Sequence, residues 1–331
     1  MKRLLNPKVL VAVVLVVGAM VISKMYFPVP LPGIQLPAEG VPILGFRVPN
    51  TLIHTLLADI TLILFAVLAT RNMKDIPDGL QNFAEWVIEG FYSITEDIAG
   101  DRARQWFPII MTIFLLVIVA NWWELVPGVD SVGVVEAPHG NKGYVLEKLG
   151  PFYVVTNEEV IVEHHGEEAR SEEGHGEEAK GEEHHELPTT EDGRPYGVLV
   201  PFLRASATDL NFTLALAVIS MVLVQYYGVQ ALGMSYFSKF LNFKGGIMGF
   251  LVGLIETVSE FAKIISFAFR LFGNIFAGQV LLFIMAFLVP WLLPVPFYGL
   301  ELFVGFIQAF VFAMLTLVFF ASAVEAHDEH H

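Results

Sequence analysis

Long apolar runs, each ended by charge or by proline and glycine, set the pattern of this chain. Residues 51–70, 106–126 and 210 to about 232 each have the roughly 20 residues that one membrane-spanning helix needs. The run over 247–289 is longer, and another follows over 300–324 after a proline-rich turn. The pattern predicts an all-α polytopic membrane protein with five core membrane helices and an additional N-terminal apolar segment.

The N-terminal segment, residues 1–27, joins a basic start to a short apolar run, which is typical of a signal peptide or a signal anchor. We favour a retained anchor, because no clear A-x-A cleavage site follows. Residues 28–50 are rich in proline and glycine and are predicted to form an extracytoplasmic linker.

Positive charge predicts the orientation of the spans. Arg71 and Lys74 directly follow the first core helix, so that end is expected in the cytoplasm. Within residues 51–126, the amphipathic stretch 78–100 is predicted to lie on the cytoplasmic surface between two membrane helices. With the N-terminal segment retained, both termini are cytoplasmic, including the polar tail 326–331, and the expected location is a bacterial inner membrane.

Residues 127–200 form a hydrophilic insertion, predicted to be extracytoplasmic and partly disordered. They hold 17 of the 34 acidic residues against five Lys and Arg, a local balance of −12. The low-complexity centre cannot bury enough apolar surface to fold alone, so any order is expected in the flanks. Its histidines could bind a metal weakly, but no spacing defines a rigid site among His164, His165, His184 and His185. No cofactor is predicted.

Polar side chains recur every three or four residues along the long apolar run, within the predicted core of ion-translocating helices, 201–325. On a helix they share one face, and they are Glu256, Ser259, Lys263, Ser266, Arg270 and Asn274. The next helix carries Glu301 and Gln308, while Asp209 begins the helix over 210–232 and Asp59 lies mid-span in the first core helix. We weigh equally an acid at a bundle interface and one beside an ion path for Asp59. No nucleophile–base pair or phosphate-binding glycine loop accompanies them, so the pattern favours an ion pathway over a catalytic pocket.

Arg270 is the most informative of these residues. An arginine at bilayer depth costs at least about 2.5–3.5 kcal/mol and needs a partner or a water-filled cavity. An ion pair with Glu256 is disfavoured, because 14 residues of helix separate the two by about 21 Å. A pair with Glu301 requires the outer turn to bring that residue deep. Since arginine keeps its proton, it suits the role of a fixed charge better than that of a proton carrier.

The length of the run over 247–289 needs an explanation. One helix of this length measures about 65 Å, whereas the hydrocarbon core is about 30 Å thick. The helix is therefore steeply tilted, bent near Gly273 or Gly278, or partly outside the core.

FRLFGNIFAGQ followed by IQAFVFAMLT closely resembles subunit a of the F-type ATP synthases, the membrane stator of the Fo motor. SATDLNFT, PDGLQNFAEWVIEGFY and NWWELVPG extend the similarity over most of residues 50–325. The resemblance implies proton translocation in a whole F1Fo complex with a c-subunit ring and a b-subunit peripheral stalk, and no ATP chemistry in this chain. It also implies that the last two helices form a tilted hairpin facing the ring.

The resemblance also implies roles for particular residues. Arg270 corresponds to the essential family arginine, which engages the ring carboxylate between two offset half-channels. Asn274, Gln279, Glu301 and Gln308 would line the outer half-channel. Glu256 and Ser266 would line the inner one, with Ser259 and Lys263 along its border.

The chain departs from the family pattern in three places. Many members have an ionisable residue where Gln279 stands, so an outer proton relay would depend on Glu301 and water. The acidic insertion and the N-terminal apolar segment are the other two departures. A secondary transporter or metal carrier and a purely structural anchor remain as alternatives, although no internal repeat favours the first and the aligned polar residues disfavour the second.

Overall fold

The computed structural model describes residues 7–26, 29, 37–43, 45–138, 142–150, 152–161, 187–190, 192–240, 246–290 and 293–325. The seven α-helices of these ranges are α1 (Pro7–Tyr26), α2 (Asn50–Thr70), α3 (Gly79–Ala99), α4 (Ala103–Glu124), α5 (Leu210–Leu232), α6 (Gly246–Leu288) and α7 (Pro294–Val324). The strands are β1 (Gly40–Ile43), β2 (Phe46–Pro49), β3 (Gly133–Glu136), β4 (Lys142–Leu149), β5 (Phe152–Ile161) and β6 (Tyr196–Pro201). Short 3₁₀ turns lie at Gly100–Arg102, Val129–Ser131, Ser206–Thr208 and Gly233–Lys239.

Five helical segments of the described chain are long and apolar enough to cross a membrane. They are Asn50–Thr70, Gly79–Glu124, Leu210–Phe237, Gly246–Leu288 and Pro294–Val324. Many of their large apolar side chains are exposed on the outside of the bundle, as lipid-facing residues are. The predicted fold class, an all-α polytopic membrane protein with five core membrane helices, is confirmed.

The core of the bundle lies where α4, α5, α6 and α7 meet. Small side chains occupy the closest helix contacts, and Ala217, Ala268, Ala309 and Ala313 have no exposed surface. Such residues let neighbouring backbones approach closely in a membrane protein. An aromatic group of Trp106, Tyr227 and Phe320 fills the wider space near one end, with ring centroids 4.9–5.9 Å apart.

The long helix α6 runs without interruption through Gly273 and Gly278. It has 43 residues, so its length is about 65 Å. It packs against α5 on one side and α7 on the other. The idea that α6 and α7 form a hairpin facing a rotor ring stays a prediction.

The helix α3 forms where the sequence predicted an amphipathic helix, and its buried Phe91 packs on Phe114 of α4 at a ring-centroid distance of 4.1 Å. The N-terminal helix α1 contacts the bundle at the end of α6, where Lys24 lies 5.2 Å from the centre of the Phe287 ring. The cytoplasmic position of α3 and the role of α1 as signal peptide or anchor stay predictions.

The flanks of the hydrophilic insertion fold into an antiparallel sheet in the order β3-β6-β4-β5. Valine, threonine and aromatic residues favour strands here, and Gly150 makes the β4–β5 turn with a φ of 65°. Order in the flanks is compatible with the prediction from the sequence, which does not include these strands. Residues 162–186, which include His164, His165, His184 and His185, lie outside the described part of the chain.

Close packing of the Gly233–Lys239 turn on α5 gives a first prediction. A side chain at position 228 would overlap the Tyr236 ring, whose hydroxyl donates a hydrogen bond to Gln225 at 2.7 Å. Gly228→Ala is therefore expected to destabilise the protein by about 1–3 kcal/mol, as overpacking does. Thermal unfolding of the purified protein measures the change.

The matched control is Gly90→Ala in α3, where an added methyl group meets nothing within 4 Å. This change is expected to be neutral or stabilising by about 0.5–1 kcal/mol. Equal effects of the two substitutions would contradict the packing argument.

Candidate functional site

One face of α6 is exposed and carries Arg270 among apolar side chains. Ser266 and Asn274, one helical turn to either side, are exposed on the same face, as are Ile265 and Phe269. The guanidinium lies 5.6 Å from the centre of the Phe267 ring. Among the described residues, no acidic side chain forms a salt bridge with Arg270.

The helices α6 and α7 are held in register beside this arginine. Gln308 is buried, and its Nε2 donates a hydrogen bond to the backbone oxygen of Arg270 at 3.1 Å. In the same antiparallel register, the Glu301 carboxylate packs directly on Gly278, where any side chain would overlap it. Glu301 therefore lies about 12 Å along α6 from Arg270, and these two residues do not form the internal ion pair left open by the sequence.

A network of charged residues surrounds the other end of α6, before Arg270. Lys239 forms salt bridges with Glu256 at 2.7 Å and Glu260 at 3.2 Å. Glu260 is buried and also accepts hydrogen bonds from Lys263 at 2.8 Å and Gln225 at 3.2 Å. Burial lowers the pKa of Lys239, but the hydrogen bonds and charges of the two carboxylates outweigh it and raise that pKa above its usual value.

The site residues predicted from the sequence include Glu256 and Lys263 but not Glu260, the residue that connects them. The signal was present, since Glu260 lies four residues after Glu256 and three before Lys263, on the same helix face. Ser259 is partly buried on α6 next to Glu260. We call Lys239, Glu256, Glu260 and Lys263 the inner ion cluster, after the inner half-channel that is predicted to pass Glu256.

Acidic residues from three separate elements converge around the far end of the α6–α7 contact. Gln279 of α6 is buried, and its Nε2 donates a hydrogen bond to Oδ2 of Asp130 at 3.5 Å. Glu124, at the end of α4, has Asp130, Glu301 and Arg204 as electrostatic neighbours. We call Glu124, Asp130, Gln279 and Glu301 the outer carboxyl cluster, after the outer half-channel that is predicted to pass Gln279 and Glu301.

Asp130 and Arg204 lie outside the membrane helices and show the electrostatic balance of this cluster. Burial raises the pKa of Asp130 to about 6, although the hydrogen bond from Gln279 and the charge of Arg204 both lower it. Burial likewise lowers the pKa of Arg204, against the charges of Glu39, Asp209, Asp130 and Glu124. One cation thus faces several carboxyl groups.

A hydrogen-bonded network joins the start of α2 to the start of α5 near this cluster. Asp209 accepts from Thr51 at 2.9 Å and from the backbone N–H of Asn211 at 2.9 Å, so it caps α5. The buried His54 shares a 2.8 Å hydrogen bond with Ser206. Asp209 therefore holds two helices together. Asp59 is partly buried and forms no hydrogen bond or salt bridge with the residues the structure describes.

The site residues predicted from the sequence do not include Glu124, Asp130, Arg204 or His54. Glu124 lies within NWWELVPG and Asp130 just after it, at the end of an apolar run. Charged residues are common at such positions and do not by themselves indicate a functional site. Only the fold brings them against Gln279 and Glu301. No cluster of three or more His, Cys, Asp or Glu in the described ranges could hold a metal ion.

The two clusters and Arg270 place three groups of polar or charged residues along α6, a largely apolar helix. Glu260 lies about 15 Å along the helix before Arg270, and Gln279 about 13 Å after it. Fixed or exchangeable charge within membrane helices marks ion pathways, because lipid would otherwise make each group costly. These features define a multi-pass membrane protein of the ion-translocating class.

The chain belongs to the ATP synthase A chain family, whose model matches residues 52–321. It is 29% identical over 282 residues to "ATP synthase subunit a" of Helicobacter hepaticus, covering 84% of this chain and 90% of that protein. It is 28% identical over 284 residues to the Campylobacter fetus subunit a, covering 85% of this chain and 92% of the other. The match to the Gloeobacter violaceus subunit a is 29% over 283 residues, covering 85% and 86%. The resemblance read from the sequence is confirmed.

The inner ion cluster gives a second prediction. Glu260→Gln keeps a hydrogen-bonding side chain but leaves Lys263 without its carboxylate, so we expect a loss of about 1–3 kcal/mol of stability.

The raised pKa of Lys239 means that its pairing stabilises the folded state below pH 10.5 and that this stabilisation is lost as the pH rises further. Chemical unfolding of the purified protein at pH 7.5 tests the change, with a second series above pH 10.5.

Glu85→Gln on α3 is the control, because Glu85 is exposed and accepts a hydrogen bond from Gln81 without a cationic partner. It should change stability by less than about 0.5 kcal/mol. A Glu260→Gln variant as stable as this control would show that the cluster does not hold the helices.

The raised pKa of Asp130 gives a third prediction. Its carboxyl group binds a proton more tightly in the folded chain than in the unfolded one, where the ordinary value is 3.8. Above pH 6 the charged form therefore destabilises the fold, and this penalty disappears as the pH falls towards 4. Asp130→Asn is expected to stabilise the protein by about 1–2 kcal/mol at pH 8 and by little at pH 4.

Unfolding curves between pH 4 and 8 measure this difference. The matched control is Asp192→Asn, because Asp192 is an exposed residue of the same hydrophilic insertion, and no comparable stabilisation is expected there. A gain at position 130 that does not depend on pH would contradict the assignment of the titration.

Proposed function

We propose that this chain is the proton-translocating stator subunit of the Fo sector of a bacterial ATP synthase. Its membership of the ATP synthase A chain family supports this role, as do its five apolar helices. The observation that carries the proposal is Arg270, a permanent cation exposed on an apolar helix face, with no acidic partner among the described residues. The carboxylate that neutralises it is supplied by the neighbouring c-subunit ring.

Arg270 acts by position and charge. Because the guanidinium does not release its proton, it attracts each ring carboxylate as the ring turns and blocks direct passage of protons between the two sides. The hydrogen bond from Gln308 to its backbone holds this section of α6 against α7, so the charge keeps a constant position relative to the hairpin. Rotation then follows from proton loading on one side of Arg270 and release on the other.

Two half-channels reach the ring carboxylate from opposite sides of the membrane. Asn274, Gln279, Glu301 and Gln308 line the outer one, and the packing of Glu301 on Gly278 supports its place there. Glu256 and Ser266 line the inner one, with Ser259 and Lys263 along its border. The charges of the inner ion cluster keep that end of α6 polar enough for water to enter.

The chain carries no ATP chemistry in this proposal. Its partners are the c-subunit ring, the b-subunit peripheral stalk and the remainder of the F1Fo complex, in a bacterial cell membrane with both termini in the cytoplasm. Proton flow through the half-channels drives ring rotation, and ATP synthesis takes place elsewhere in the complex.

Arg270→Ala is expected to abolish ATP-driven proton pumping while the complex still assembles. Arg270→Lys should also lose most pumping, because a compact ammonium group replaces the planar guanidinium. Pumping is measured by quenching of a pH-sensitive dye in vesicles that contain the whole complex, and assembly by co-purification of the ring and the soluble head.

Arg104→Ala is the control, since Arg104 is an exposed arginine near the start of α4. The complex with this substitution should pump normally. Normal coupled pumping in Arg270→Ala would refute the proposal.

A further inference from the structure

The β-sheet of the insertion brings together the two segments that carry Asp130 and Arg204, at the outer end of the bundle. Asp130 precedes the start of β3 at Gly133 by three residues, and Arg204 follows the end of β6 at Pro201 by three. Gly133 and Pro201 are paired across the two strands. The backbone N–H of Phe202 continues the ladder with a 2.9 Å hydrogen bond to the oxygen of Val132. The sheet therefore fixes the separation of the segments on which Asp130 and Arg204 stand.

Arg204 is anchored independently of Asp130. Its Nη1 donates to the backbone oxygen of Pro37 at 2.8 Å, and its Nε donates to Oγ1 of Thr208 at 3.3 Å. The cation thus has a fixed position beside the carboxyl groups. It lowers the electrostatic cost of their ionised forms without entering into proton exchange itself.

Asp130 is faced by charged or titratable groups from each element around it. They are Glu124 of α4, Tyr298 of α7 and Arg204 before α5, while Gln279 of α6 donates its hydrogen bond. Glu301 of α7 is an electrostatic neighbour of Glu124. Glu124 is only 8% exposed, and its Oε1 is buried without a hydrogen-bond partner among the described residues. A buried polar atom of this kind is costly unless water or a proton satisfies it.

We propose that Asp130 is the proton-entry residue of the outer half-channel and that it passes protons by way of water to Glu124 and Glu301. This inference rests on the proposed function and names the residues that replace the ionisable side chain absent at Gln279. Asp130 is partly buried at the end of the bundle, Glu124 is buried and is its electrostatic neighbour, and Glu301 of α7 packs on Gly278 of α6. The three carboxyl groups thus lead from the outer surface to the helix that carries Arg270.

The proton transfers need only water and carboxyl groups. A hydronium ion in the outer solution gives its proton to a carboxylate oxygen of Asp130 and becomes water. The Asp130 O–H bond then breaks as a water molecule takes the proton, and that water gives it to Glu124 or Glu301. The pKa of about 6 for Asp130 suits both steps, because a group with a pKa near the working pH both gains and loses protons readily.

Gln279 and the sheet have positioning roles in this arrangement. The amide of Gln279 turns one Asp130 oxygen towards α6. The β3–β6 pairing keeps Asp130 from swinging away from the bundle. The acidic insertion thereby becomes part of the machinery in this chain, through its ordered strands.

The test measures how ATP synthesis depends on the pH of the extracytoplasmic side. The whole complex is reconstituted in vesicles with the soluble head outside, the lumenal pH is set between 5 and 8, and the external pH and the potassium diffusion potential are held constant. For Asp130→Asn we expect synthesis to fall roughly tenfold at lumenal pH 7.5 and to approach the unmodified complex at pH 5, where protons are abundant. Asp192→Asn, the same change at an exposed position of the insertion, should follow the unmodified profile.

Asp130→Glu separates proton exchange from a structural role. It keeps the carboxyl group and is expected to restore most of the rate at pH 7.5, with a displaced pH profile. If Asp130→Asn does not assemble, an Asp130→Glu profile identical to that of the unmodified complex contradicts the inference. Equal impairment of both variants at every pH also contradicts it, because a residue needed only for packing behaves that way.

Arg270→Ala in the same vesicles distinguishes this inference from the proposed function. It should give no synthesis at any pH. If Arg270→Ala gives no synthesis while Asp130→Asn keeps the pH profile of the unmodified complex, the entry role of Asp130 is refuted and the proposed function stands. If Arg270→Ala synthesises ATP normally, the proposed function itself fails.

Discussion

Arg270 carries a positive charge that it cannot lose by deprotonation. This charge limits what can contact the exposed face of α6. Arg270 stands on an exposed apolar face, in contact with the Phe267 ring, and has no acidic partner in the described chain. Lipid is a poor environment for such a group, so the face that carries it is suited to a protein that brings negative charge. The α6–α7 contact at Gln308 and the packing of Glu301 on Gly278 keep the surroundings of that face rigid. The cation is therefore presented at a fixed place.

The two ends of α6 handle charge in different ways. In the inner ion cluster, two lysines and two glutamates form salt bridges, and the charges balance. In the outer carboxyl cluster, the acids outnumber Arg204, the one cation that faces them among the described residues, and their ionised forms repel one another. The first arrangement holds helices together. The second is the arrangement that the proposed proton entry at Asp130 requires.

The helices and the polar face of α6 could be predicted from the sequence, because both depend on local patterns. Apolar runs of sufficient length give spans, and spacings of three or four residues place Arg270, Ser266 and Asn274 together. The outer carboxyl cluster could not be predicted in the same way. Asp130 and Gln279 are 149 residues apart, and a single sequence does not indicate that the fold brings them together. The strands beside the low-complexity segment were missed because the acidic composition of the insertion outweighed its short runs of valine and threonine.

The α6–α7 contacts and the strand pairing both limit where this chain can change in length. Glu301 and Gln308 each contact a particular residue of α6, so one residue gained or lost between them would turn one contact away by about 100° around the helix. The membrane hairpin thus tolerates no insertions there. The connection between β5 and β6 is different, because β6 pairs with both β4 and β3 and the chain returns to the bundle at Arg204 whatever lies between the strands. A change in the length of this connection is therefore expected to leave the geometry of α4–α7 unchanged.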